Sequence, residues 1–307
     1  MNEIGQSEGG RPILAAALGD GPQRVSLIAG CHSDEPVGPE TLRALVSELS
    51  GNPAHPWLSR FTFFIVPHVN PDGEEKNRAW VDRWPDPAAY LQHAFREPPG
   101  RDLEFGFPYM RVENRAVAGF LSPHAPFVLH MSLHGMGVSE GAMLLIERHF
   151  IDRTESLRAD FAAAARAAGL GLHDHDRKGD KGFRYIGPGF TTTPEAPAMR
   201  AHFLAMGDDA TAALFHQSSM EFVRSLGGDP LCLVTELPLF VVENPAPTPG
   251  VPQAYLDFRA RVPDLARRVH AGESIQAELD AAGLRALDFD TAKRLQHETI
   301  RLALETL

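Results

Sequence analysis

VSLIAGCHSDEPVGPETLRALV, residues Val25–Val46, runs from an apolar strand into a helix-like pattern, with a histidine and acids at the join. Val25–Gly30 is apolar nearly throughout, which reads as a strand covered on both faces. The segment after Gly38 has helical periodicity and a proline in its first turn. A buried strand feeding a helix is the unit from which α/β sheets are built. Polar residues commonly end a strand, and His32 and Glu35 could do no more than that. They could also converge on a metal ion.

The same unit recurs outward from this stretch. Strand-like runs at Pro12–Leu18, Phe61–Val69, Pro126–Leu133, Ala142–Glu147 and Leu231–Leu237 interleave with helical patterns over Met110–Leu121, Asp152–Ala168 and Asp209–Leu226. The expected fold is α/β: a mixed, largely parallel twisted sheet with helices on both faces. Pro-rich Glu243–Pro252 then separates a body, residues 1–243, from residues 244–307, a helical C-terminal extension expected to pack on it. That extension shows no obvious site chemistry. Trp80–Pro108 and Gly171–Pro197 are polar and poorly periodic, and loops this long in a compact domain are more often functional than structural.

Composition narrows the function classes. A formal net charge of −11 would repel the phosphates of nucleic acid and an anionic membrane surface. No apolar run approaches the roughly 20 residues of a membrane helix. The N-terminal MNEIGQSEGGRP has neither a basic n-region nor an apolar h-region, so the expected location is cytoplasmic. Cys31 and Cys232 sit in apolar, strand-like surroundings, where free cysteine behaves as a small hydrophobe.

Ligands gather at the carboxyl ends of strands in α/β sheets. His32 and Glu35 follow one strand, His134 follows a second in HMSLHG, and Glu236 lies near the end of a third in VTELP. Two imidazoles and a carboxylate are the protein ligands of a catalytic zinc, and a further carboxylate can take a proton from water. Other histidines compete less well. His130 lies four residues from His134 on a strand, ~13 Å away, too far to share an ion. His173 and His175 fall in a polar loop and read as surface residues, and His68 reads as structural.

In their order along the chain, His32-x-x-Glu35, His134 and Glu236 resemble the zinc carboxypeptidase family of metallopeptidases. The resemblance extends to Asn70-Pro71-Asp72-Gly73 and to Asn77–Trp80, and it covers roughly Val25 to Pro238. It implies one zinc per chain on His32, Glu35 and His134, with Glu236 as general acid/base and Arg78 as the oxyanion-stabilising guanidinium. It further implies hydrolysis of an amide bond in a small peptide or N-acyl amino compound. In GRDLEFGFP, Gly100–Pro108, Glu104 stands where the family has Asn and Phe105 where it has Arg, the pair that grips a substrate carboxylate. A phenyl ring cannot make a bidentate ion pair and Glu104 would repel a carboxylate, so an altered substrate pocket is expected. Ser132 stands where the family often has an acid. Tyr185 is the only tyrosine between His134 and Glu236 and so matches the substrate-capping position. Two alternatives stay open: a deacylase of the aspartoacylase/succinylglutamate desuccinylase type, and a non-catalytic zinc- or ligand-binding relative.

Overall fold

In the computed structural model, which describes residues 1–307, the apolar runs form the middle of one mixed sheet. Its strands are β1 (Asn2–Gln6), β2 (Pro12–Leu18), β3 (Gln23–Ala29), β4 (Phe61–Val66), β5 (Leu129–Ser139), β6 (Gly141–Ile146), β7 (Gly171–Leu172), β8 (Tyr185–Gly187), β9 (Phe190–Thr192), β10 (Leu231–Val241) and β11 (Arg285–Ala286). The spatial order is β1-β2-β4-β3-β5-β10-β6-β9-β8, with β11 on β10 and β7 on β6. The central run β4-β3-β5-β10 is parallel, and β6 turns antiparallel against β10.

Alternate residues of these strands feed two cores, as expected for strands covered on both sides. Val25, Leu27 and Ala29 join one core with Leu42 and Leu45 of the helix Val37–Gly51. Ile28, Phe64 and Val66 join the other with Val117 of the helix Val112–Leu121 and Val223 of the helix Ser219–Ser225. The expected fold class is therefore observed.

Several details differ from expectation. The pattern over Asp209–Leu226 is two helices, Asp209–Ala212 and Ser219–Ser225. The second starts afresh because Ser218 and Glu221 form a capping box, while Gln217 bridges to Phe107. Asn70-Pro71-Asp72-Gly73 opens a helix, Pro71–Val81, whose cap is the Asn70 side chain accepting from Gly73 N–H at 3.0 Å. Gly171–Pro197 holds β7, β8 and β9, strands of two or three residues that are too short to show a period.

The C-terminal segment is joined to the sheet. β11 pairs with Phe240 and Val241, and the helix Phe289–Glu305 packs against the helix Val37–Gly51. From it the buried Gln296 donates to the His134 carbonyl at 3.0 Å and to Thr235 Oγ1 at 3.1 Å. A residue of the extension thus braces two central strands beneath the cluster described next.

Candidate metal centre and active-site cavity

β3 ends at Ala29, and Gly30 turns the chain with φ +74°. A Cβ there would lie 2.4 Å from the His68 ring, so glycine is required by both conformation and space. That turn delivers His32 and Glu35 to the sheet edge. Glu35 Oε1 lies 3.0 Å from His32 Nδ1, and Glu35 Oε2 lies 2.8 Å from His134 Nδ1. His32 Nδ1 and His134 Nδ1 are themselves 3.0 Å apart. The register of β5 and β10 sets Glu236 beside His134, and parallel partners project from the same face. The structure therefore brings His32, Glu35, His134 and Glu236 together in a cavity of about 610 Å³.

The donor set fits a divalent metal. Nitrogens of two imidazoles bound to one tetrahedral zinc at ~2.1 Å lie roughly 3.4 Å apart, close to the observed 3.0 Å. The ligand atoms of His32, Glu35 and His134 all lie within 4.8 Å of one another. Cys31, Glu104 and His134 form a second such group on the far side of the His134 ring. There burial and the Glu104 charge push the Cys31 thiol well up, so it is not a ready thiolate ligand. Glu104 on that side is already engaged by neighbours. The Nδ1 side, which faces His32 and Glu35, is the better metal position.

Glu104 does not stand free in the cavity as its charge implied from sequence. Its Oε2 accepts from Ser132 Oγ at 3.0 Å and lies 3.1 Å from His134 Nε2. Its Oε1 accepts from Ser219 N–H at 3.0 Å and Ser219 Oγ at 2.6 Å. Burial alone would raise Glu104, but the His134 and Ser219 hydrogen bonds bring its pKa down to about 2. A carboxylate on the outer nitrogen of a metal-facing histidine fixes its tautomer. The acid absent at Ser132 is supplied by Glu104. Phe105 is buried against Phe203 and Phe215 and forms an aromatic wall of the cavity.

Glu236 is half-buried, and its Oε2 is shut off from solvent with no hydrogen-bond partner. Burial, with the Glu35 charge second, pushes its pKa up to about 7, as a proton-transfer group near neutral pH requires.

Arg78 is not in this cavity. It lies on the helix Pro71–Val81, exposed, between Glu75 and Asp82, and lines a separate cleft on the surface. Helical phase turns it outward while Asn77 and Trp80 of the same helix point in. The guanidinium in contact with the cluster belongs to Arg96, which donates to Asp34 Oδ1 at 2.8 Å and pairs with Glu35. Arg96 lies in the aperiodic segment Trp80–Pro108, and only the length of that loop signalled a role. Tyr185 also lies outside the cavity; it is exposed, and its hydroxyl donates to Asp174 at 2.6 Å. Two tyrosines line the cavity, Tyr90 and Tyr255. Tyr255 comes from the helix Gln253–His270, in the extension that showed no site chemistry by sequence. Among the other histidines, His130 bonds to Ser26 and Ser219 in the core, His68 is buried, and His173, read as a surface residue, is buried beside Tyr255.

A family model described as zinc carboxypeptidase matches residues 1–141. No curated protein matches the sequence. Among solved structures, a metallo-carboxypeptidase from Burkholderia cenocepacia superposes with a TM-score of 0.53 at 16% identity, covering 99% of this chain and 63% of that one. A metallo-carboxypeptidase from Pseudomonas aeruginosa, in complex with (2-guanidinoethylmercapto)succinic acid, gives 0.52 at 17% identity, covering 98% and 62%. The chain thus spans about three fifths of the length of these two relatives. No helix is long and apolar enough to cross a membrane. Residues 1–141 match the zinc carboxypeptidase family model, and the chain as a whole carries the metallocarboxypeptidase fold.

Proposed function

We propose that the chain is a zinc-dependent hydrolase of an amide bond in a small peptide or N-acyl amino compound. The observation that carries this reading is the convergence of His32, Glu35 and His134 beside Glu236, whose Oε2 is buried and unpartnered. His32, Glu35 and His134 would hold the zinc, which supplies Lewis acidity toward the amide carbonyl and toward a bound water. Glu236 takes the proton from the attacking water and returns it to the leaving nitrogen. Arg96, in place of Arg78, faces the negative charge that develops on the carbonyl oxygen. Glu104 holds the His134 ring, and Phe105 shapes the substrate side. The body, residues 1–243, carries the hydrolytic groups, while the extension, residues 244–307, closes the cavity with Tyr255 and braces the sheet with Gln296.

The test is a hydrolysis screen with zinc supplied, comparing peptides with free and amidated C-termini against N-acyl amino acids. Glu236→Gln keeps the shape but removes the base, and should lower kcat by at least ~10²-fold with zinc retained. Turnover at the native rate in that variant would overturn the mechanism.

A further inference from the structure

The cavity that holds the acidic cluster has a basic end. Arg177 and Lys181, from the segment between β7 and β8, line it together with Arg259 of the helix Gln253–His270. Three aspartates close in sequence could neutralise Arg177, and each faces elsewhere. Asp174 accepts from the Tyr185 hydroxyl at 2.6 Å and from Gly250 N–H at 2.8 Å. Asp176 pairs with Lys178 at 2.5 Å, and Asp180 lies 3.0 Å from His202. The half-buried Arg177 is left without a side-chain hydrogen bond or a carboxylate at ion-pairing distance. Its guanidinium carbon sits 4.1 Å from the centroid of the Phe183 ring. Such stacking holds the guanidinium while leaving its N–H groups available. It lines the same cavity as Glu236 and Tyr255. Burial lowers its pKa from the ordinary value, as expected for a cation drawn out of water without a matched counter-ion.

The residues at the expected carboxylate-gripping positions cannot serve. Phe105 presents a ring, and both oxygens of Glu104 are engaged by Ser132, His134 and Ser219. Phe203, Phe215 and Met199 pack with Phe105 as an apolar part of the cavity lining.

We propose that Arg177 is the anion-holding residue of this cavity, gripping a carboxylate borne beside an aromatic or large apolar group. Lys181 and Arg259 add charge of the same sign. That the bound anion is a substrate rests on the hydrolase reading above; that it binds does not. The test is therefore equilibrium binding to the metal-free full chain, read by titration calorimetry with N-acetyl-phenylalanine and its primary amide. The native protein should bind the acid about tenfold or more tighter than the amide, the scale of a bidentate charge-assisted pair. Arg177→Met should abolish that preference while leaving the amide within about twofold, and Arg177→Lys should retain part of it. If Arg177→Met does not fold, the native salt dependence decides. Raising salt from about 50 to about 500 mM should weaken the acid and spare the amide. Equal affinity for the two probes, a preference that survives Arg177→Met, or an acid affinity indifferent to salt would each overturn the proposal. Hydrolysis is not read here, so an inactive protein with the expected preference retains the anchor and loses the enzyme. An active protein without the preference does the reverse.

Discussion

Glu104→Gln removes one charge and almost no volume, and the structure says what must follow. The carboxylate serves two sides at once: Ser219 N–H and Oγ on Oε1, at 3.0 and 2.6 Å, and Ser132 Oγ and His134 Nε2 on Oε2, at 3.0 and 3.1 Å. An amide has a single acceptor oxygen, so it cannot satisfy both sides. With its oxygen kept on Ser219, its NH₂ faces His134 Nε2 and turns that nitrogen into an acceptor. The imidazole proton then moves to Nδ1, the atom that faces His32 and Glu35. Metal binding would have to reverse that tautomer or rotate the ring. Loss of such an outer carboxylate typically weakens metal affinity by about 10- to 100-fold, or roughly 1.4 to 2.8 kcal/mol. The assay is competition for zinc between a chromophoric chelator and native or Glu104→Gln protein, with circular dichroism confirming the fold. Affinities within twofold of one another would show that His134 needs no partner at Nε2, and the role given to Glu104 would fall.

Other outcomes follow from the same geometry. Arg78→Ala should leave zinc-dependent hydrolysis within about twofold, whereas Arg96→Ala should lower kcat/KM by about 10²-fold through the unmet oxyanion charge; the opposite ranking in steady-state kinetics would restore Arg78. In metal-free protein the folded pKa of Glu236, about 7, lies above its ordinary 4.5. The native state therefore binds the extra proton between those values, and stability falls as pH rises from 4.5 through 7. Glu236→Gln should remove that loss, gaining on the order of 3 kcal/mol relative to native at pH 8 compared with pH 4.5 in urea denaturation; a difference independent of pH would contradict the burial argument. Gln296→Leu should cost about 1 to 3 kcal/mol, because the His134 carbonyl and Thr235 hydroxyl lose a buried partner, and chemical denaturation reads the change directly.

The parts of the molecule that sequence made legible are those with a period or a strand end. Apolar runs such as Val25–Gly30 and Leu231–Leu237 fall in the central strands, because burial on both faces leaves an uninterrupted apolar signature. His32 and Glu35 could be singled out because they lie just beyond such a strand, and His134 and Glu236 because each interrupts an apolar run, although β5 and β10 continue past them to Ser139 and Val241. Arg78 lies outside the cavity: matching NRAW to a motif fixes a position along the chain but not the side of the helix. Three positions of helix separate Asn77 and Trp80, which face inward, with Arg78 between them facing out. Arg96, Arg177 and Tyr185 lie in segments without periodicity, where only tertiary contacts decide whether a side chain enters the cavity. Tyr255 and Gln296 lay hidden for another reason: they reach the site from a C-terminal extension whose amphipathic helices look like ordinary packing elements. Glu104 shows how charge at a matched position can mislead when a neighbour absent from the motif, Ser219, claims it.

Elemental analysis after equilibrium dialysis against zinc tests the metal position between His32, Glu35 and His134 most directly. The native chain should retain about one zinc, as a closed set of three protein ligands implies. His134→Ala, which removes the nitrogen shared by both neighbours at 3.0 and 2.8 Å, should remain folded and retain little. Stoichiometric zinc in His134→Ala would place the metal elsewhere and contradict the site.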